Sequence, residues 1–266
     1  MSVVYAIVNQ KGGVGKTTTA VNLAAALAQK GRRVLLVDSD PQGNTTSGVG
    51  VDKNLLQRCL YDCLVRGAPA GEIRLECSIL GVDILPATIK LADAEIEMVA
   101  LMSRETRLRQ VIASIRDDYD FTLIDCPPSM GLLTINTLVA SDAAIIPMQC
   151  EFYALEGISS LLKVFGMVQQ QLNPTLKIAG VLLTMFDPRM KLTEQVVCEV
   201  KQYFGDRLFQ TVIPRNVRLS EAPSHGLSAL DYDPRCRGAE AYTQLADEVA
   251  KRAAGARAGG SGYGGA

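Results

Sequence analysis

Short apolar runs alternate along this chain with longer stretches in which apolar positions return every three or four residues. Val3 to Val8 (V-V-Y-A-I-V), Arg33 to Asp38, Gly81 to Pro86, the run beginning at Tyr119 and ending in Asp125, Ala143 to Pro147 and Ile178 to Thr184 have the length and β-branched content of buried strands. A further short strand is expected at Thr211 to Ile213. Between them, helical periodicity or composition marks the segment from Lys16 to a stop at Gly31, then Asn54 to Arg66, one or two helices in Leu91 to Ile115, Leu155 to Leu172, and a last helix from Arg237 to about Ala254. Strand alternating with helix predicts an α/β fold, a mostly parallel doubly wound sheet with helices on both faces, whose ligand lies beyond the carboxyl ends of the strands. Residues 1–254 are expected to form a single domain, and the glycine-rich 255–266 a flexible tail.

Between the first strand and the first helix lies Lys11-Gly-Gly-Val-Gly-Lys-Thr-Thr18. Gly12, Gly13 and Gly15 let the backbone around Val14 curl so that its N–H groups face one concavity at the positive end of a helix, a cradle for polyphosphate. Lys16 is placed to reach the β- and γ-phosphates, Thr17 to ligate a Mg²⁺ that bridges them, and Thr18 to contact the α-phosphate. This strand, loop and helix order is that of a P-loop, with one departure: an extra lysine, Lys11, opens the loop where it cannot easily fold back over its own phosphates.

Carboxylates end two of the strands beside this loop, and both, Asp38 and Asp125, are candidate Mg²⁺ residues together with Thr17. Asp38 opens D-S-D-P-Q-G-N (Asp38 to Asn44), in which Asp40, on a loop able to sense the γ-phosphate, is the candidate for orienting the attacking water. Asp125, at the end of its apolar run, has the position of a Walker B carboxylate that holds Mg²⁺ through its water shell. The prolines after it force the chain out of the sheet, so Pro127 to Leu132 is a second candidate moving segment.

Composition narrows the function classes. A formal net charge of −1 gives no global attraction for nucleic acid or acidic membrane, so any polyanion contact must be local. No apolar run is long enough to span a bilayer, which implies no integral membrane association. Seven cysteines without regular spacing, beside an N-terminus lacking a signal pattern, read as reduced thiols of a cytoplasmic protein.

The Lys11 to Thr18 loop resembles the deviant Walker A motif of the ParA/MinD family of P-loop ATPases. With Asp38 to Asn44, Asp125 to Pro128, E-F-Y-A-L-E-G (Glu151 to Gly157) and I-P-R-N-V-R-L-S-E-A-P (Ile213 to Pro223), the chain is similar to the short chromosomal Soj-like ParA ATPases from Val3 to about Val249. The resemblance implies a homodimer closed by ATP, with Lys11 of each copy reaching the other's nucleotide, and adenine contacts near Pro214 and Asn216. It also implies that the closed dimer binds double-stranded DNA on the nucleoid without sequence preference. A ParB/Spo0J-type centromere-binding partner is then expected to stimulate an otherwise slow hydrolysis and release it. The helix-turn-helix extension of longer plasmid relatives is not expected, because the first strand begins at Val3.

Met185 to Arg237 carries eight Lys and Arg against seven Asp and Glu, so DNA binding must rest on placement; Arg189 and Arg218, expected in loops after strands, are the first candidates. Two other classes share the fold. A MinD-like membrane ATPase needs a C-terminal amphipathic helix with a basic face, and this tail is glycine-rich. A nucleotide-driven reductase of the nitrogenase iron-protein kind needs cluster-binding cysteines at the dimer axis, for which Cys126 and Cys150 are the available pair.

Overall fold

The computed structural model describes residues 2–151, 154–189 and 191–260. Its first half runs β1 (Val3–Ile7), α1 (Lys16–Gln29), β2 (Val34–Asp38), α2 (Asn44–Gly48), α3 (Leu60–Leu64), α4 (Ala70–Ile73), β3 (Leu75–Glu76), β4 (Val82–Leu85), α5 (Leu91–Glu97) and α6 (Arg107–Ala113). The second half runs β5 (Phe121–Asp125), α7 (Leu132–Ala140), β6 (Ala143–Gln149), α8 (Ala154–Gln171), β7 (Lys177–Thr184), α9 (Lys191–Phe204), α10 (Arg218–Glu221), α11 (Ala229–Tyr232) and α12 (Arg237–Gly260). The sheet order is β3-β4-β2-β5-β1-β6-β7, with every pair parallel except the short antiparallel edge strand β3. From the central β1 the chain builds the sheet first to one side and later to the other. The loop after β1 therefore stands at the switch point where doubly wound sheets bind ligands.

Alternation persists inside the apolar strands. Tyr5 and Ile7 join the core under α1 and α12, with Leu23, Leu27 and Leu245, while Val4, Ala6 and Val8 face the helices on the other side. Alanines 20, 24, 25 and 26 are all but fully buried and let α1 approach its neighbours closely. Truncating a fully buried leucine such as Leu23 in this layer costs about 2–5 kcal/mol.

The expected doubly wound sheet is present, and its details depart from the sequence reading in four places. The helix expected over Asn54 to Arg66 is confined to Leu60–Leu64. Asp52 draws the Asn54 N–H into a turn, and Asp62 caps the helix by accepting the Cys59 N–H. The segment Asn44 to Gly48, to which no element was assigned, forms α2.

Thr211 to Ile213 is no strand. It runs beside β7, to which Ile213 gives its N–H at Leu183, but the ladder is reduced to isolated pairings at Leu208 and Pro214, since the Gln210 and Thr211 N–H groups go to Glu248. The last helix continues past Ala254 to Gly260, as an alanine- and arginine-rich run favours, despite Gly255. Phe152 and Tyr153 of the E-F-Y-A-L-E-G segment, and positions 261–266 of the expected tail, lie outside the described residues.

Candidate nucleotide site

The loop between β1 and α1 closes as its glycines dictate. Gly13 (φ 74°) and Gly15 (φ 88°) occupy the left-handed region, which a side chain would strain, and Gly15 is the N-cap residue of α1. Two neighbouring strand ends brace the turn. Gln149, the last residue of β6, donates to the Gly13 carbonyl (2.9 Å), and the Thr184 hydroxyl, at the end of β7, donates to that of Val14 (2.8 Å). With these carbonyls tied outward, the peptide N–H groups are left for an anion.

The two lysines part company. Lys16, nearly buried, folds across the turn and donates to the Lys11 carbonyl (3.0 Å). Burial pushes its ammonium down, against the pull of Asp125 and Asp40. The Lys11 side chain instead pairs with Glu151, just beyond β6, both about half exposed.

Asp38 and Asp125 end adjacent strands in register, and both are fully buried. Asp125 Oδ2 accepts the hydroxyls of Thr17 and Thr45, each at 2.7 Å, while its buried Oδ1 has no hydrogen-bond partner. Burial pushes the Asp125 carboxyl up to about 6. Burial and the neighbouring Asp125 push Asp38 up to about 7. An orphaned carboxylate oxygen, a hydroxyl one bond away and a hard, all-oxygen donor set fit Mg²⁺, which Thr17 and Asp125 would hold.

Asp38, expected as a further metal residue, is occupied differently. Its Oδ2 takes the Thr46 N–H (2.8 Å) and hydroxyl (2.7 Å), and its Oδ1 the Asp40 N–H (3.2 Å), so it fixes the start of α2. Asp40 sits in that same turn, buried, its carboxylate accepting the Gln42 N–H (2.9 Å).

Beyond Gly15 and Thr18 opens a cavity of about 260 Å³ that Pro214 and Asn216 also line, with Tyr242 as its aromatic floor. The residues expected on the base side thus share one cleft with the phosphate loop. Thr45, Thr46, Gln149 and Thr184 complete the site without having been anticipated. For the last two a signal existed: each is a polar residue closing an apolar strand.

Neither Arg189 nor Arg218 is among the residues lining this cleft. Arg189 forks onto Asp187 (2.9 and 2.7 Å), and Arg218, expected in a loop, begins α10 and pairs with Glu221 (2.7 Å) and Asp233 (3.2 Å). Cys126 is fully buried beneath Asp125, not at a surface where a second copy could share a cluster. Among the described residues no helix is long and apolar enough to cross a membrane.

An AAA-domain family model matches residues 2–178. The chain is 58% identical over 250 residues to the sporulation initiation inhibitor protein Soj of Bacillus subtilis, covering 94% of this chain and 99% of that one. It is 49% identical over 251 residues to the chromosome partitioning protein ParA of Caulobacter vibrioides, covering 94% of each. Among solved structures, cobyrinic acid a,c-diamide synthase from Mycobacterium smegmatis, with bound ADP and magnesium, superposes with a TM-score of 0.82 at 37% identity over 93% of both chains. Relatedness of this degree along almost the full length, on a sheet whose strand ends carry the same kind of phosphate loop, settles the lineage: the chain belongs to the ParA/Soj family of chromosome-partitioning P-loop ATPases.

Proposed function

We propose that this chain is an ATP- and Mg²⁺-dependent switch for DNA segregation. Two ATP-loaded copies pair, the pair binds double-stranded DNA of the nucleoid without sequence preference, and a ParB-type partner speeds hydrolysis and releases it. The observation that carries this reading is the division of labour between the lysines. Lys16 folds onto its own loop, whereas Lys11 engages Glu151 in a half-exposed ion pair. Such pairs are worth about 0–1 kcal/mol, so a second copy's triphosphate can readily take Glu151's place.

Within one copy the backbone N–H groups of Gly12 to Lys16 and the Lys16 ammonium orient the phosphates. Thr17 and Asp125 hold Mg²⁺, which when bound neutralises charge on the β- and γ-oxygens. Asp40, on the turn that Asp38 anchors, orients the attacking water, and Pro214 and Asn216 contact the base. A loop carboxylate as the water-orienting group makes for slow chemistry, which suits a timer that a partner resets.

Arg189 and Arg218 contact DNA phosphates in the pair, exchanging their surface carboxylate partners for phosphate at little cost. If one copy binds DNA at about 10⁻⁴ M and pairing presents the second site at about 10⁻³ M, affinity rises roughly tenfold. The apolar face of α12, including Leu245 and Val249, is buried against the core and so is not available to a membrane.

Co-sedimentation with DNA tests the reading. Pelleting is expected with ATP and Mg²⁺ and not with ADP; equal pelleting in both would refute the switch. Arg189→Glu and Arg218→Glu should weaken binding and each lower the salt slope by about 0.9, and unchanged slopes would take both residues off the DNA face.

A further inference from the structure

The base side of the cleft is delivered by a segment that belongs to no strand. From Leu208 to Arg215 the chain runs beside β7, giving the Phe209 N–H to Val181 (2.9 Å) and the Ile213 N–H to Leu183 (2.8 Å), and taking the Phe186 N–H on Ile213 (2.9 Å). Between these contacts the ladder is interrupted at Gln210 and Thr211. Their N–H groups go to the two oxygens of Glu248 on α12, at 3.0 and 3.1 Å.

Arg252, one turn further along α12, completes a clamp. It donates to the Ala179 carbonyl of β7 (2.7 Å), the Leu208 carbonyl (3.0 Å) and Glu248 (2.8 Å), and its guanidinium lies 4.2 Å from the centre of the Phe209 ring. Both side chains are largely buried, at 17% and 26% exposure. Glycine at position 180 makes the approach possible, since a Cβ there would stand 2.5 Å from the Phe209 ring and 2.8 Å from the Arg207 carbonyl.

We infer that Glu248 and Arg252 are positioning residues for the nucleotide base. By bridging α12, β7 and the Leu208 to Arg215 segment they set where Pro214 and Asn216 stand over the cleft, without touching the nucleotide. The inference rests on the proposal that these two residues meet the base. A fixed wall spares the nucleotide the cost of ordering it, so loosening the clamp weakens binding of anything that carries a base. The phosphate cradle has braces of its own, Gln149 and Thr184.

Inorganic tripolyphosphate, which has phosphates and no base, separates the two ends of the site. Dissociation constants for ATP and for tripolyphosphate, each with Mg²⁺, are measured by calorimetry on wild type, Glu248→Ala, Glu248→Gln and Asn216→Ala. Glu248→Ala is expected to weaken ATP roughly tenfold, the equivalent of about 1.4 kcal/mol, and to leave tripolyphosphate unchanged. Glu248→Gln, which keeps one acceptor oxygen, should fall between it and wild type.

If Glu248→Ala weakens both ligands alike, the clamp is general scaffolding and the inference fails. It fails equally if ATP binding does not move while Asn216→Ala lowers it. Should Asn216→Ala leave ATP untouched, the base-side reading itself falls, and the positioning role with it.

Discussion

The phosphate end of the cleft is written in one unbroken stretch, Lys11 to Thr18, whereas its base end is assembled from pieces distant in the chain. Gly13 and Gly15 need only their own φ angles to form a cradle. Pro214 and Asn216 need α12 to hold their segment beside β7, through Glu248, which lies 37 residues after Thr211. A motif is thus local where backbone conformation does the work and dispersed where packing does. The phosphate end should tolerate little change of residue, and the base end should respond to substitutions far from the nucleotide.

That contrast can be pressed in descending order of effect. Asp40→Ala should leave ATP binding in place and cut hydrolysis roughly hundredfold or more, the usual contribution of a positioned general base; single-turnover rates near wild type would remove Asp40 from the chemistry. Lys16→Ala should weaken ATP and tripolyphosphate together by roughly tenfold to hundredfold, as expected for a lost charge-assisted contact of about 1.5–3 kcal/mol. A loss restricted to ATP would place Lys16 on the wrong side of the comparison. Gly180→Ala should act at the base end only: crowding against Phe209 displaces the Leu208 to Arg215 segment and weakens ATP about threefold, with tripolyphosphate unaffected. Equal losses for both ligands would show that the two ends are not separable.

The same contrast explains what was legible beforehand. Asp38 and Asp125 could be found because each closes an apolar run, and strand ends in a parallel sheet converge on one edge. Thr46 was not legible, since its partner Asp38 is met only when Asn44 to Gly48 coils into a helix.

Asn54 to Arg66 has helical composition, but side-chain caps at Asp52 and Asp62 claim the backbone first. Thr211 to Ile213 has strand composition, yet Glu248 takes the N–H groups a strand would have used. In both places side-chain carboxylates overrode propensity. Lys11 was singled out by its place before the glycines, but Glu151 as its partner was not foreseen.

The central claim is that Lys11 couples bound ATP to pairing. Sedimentation velocity of wild type and Lys11→Ala over a range of concentrations, with ATP and Mg²⁺ and in parallel with ADP, tests it most directly, provided calorimetry shows that both bind ATP. The account predicts a dimer for wild type with ATP, a monomer with ADP, and a monomer for Lys11→Ala with either nucleotide. A Lys11→Ala protein that pairs as wild type does, or a wild type that stays monomeric with ATP at every concentration, would contradict it.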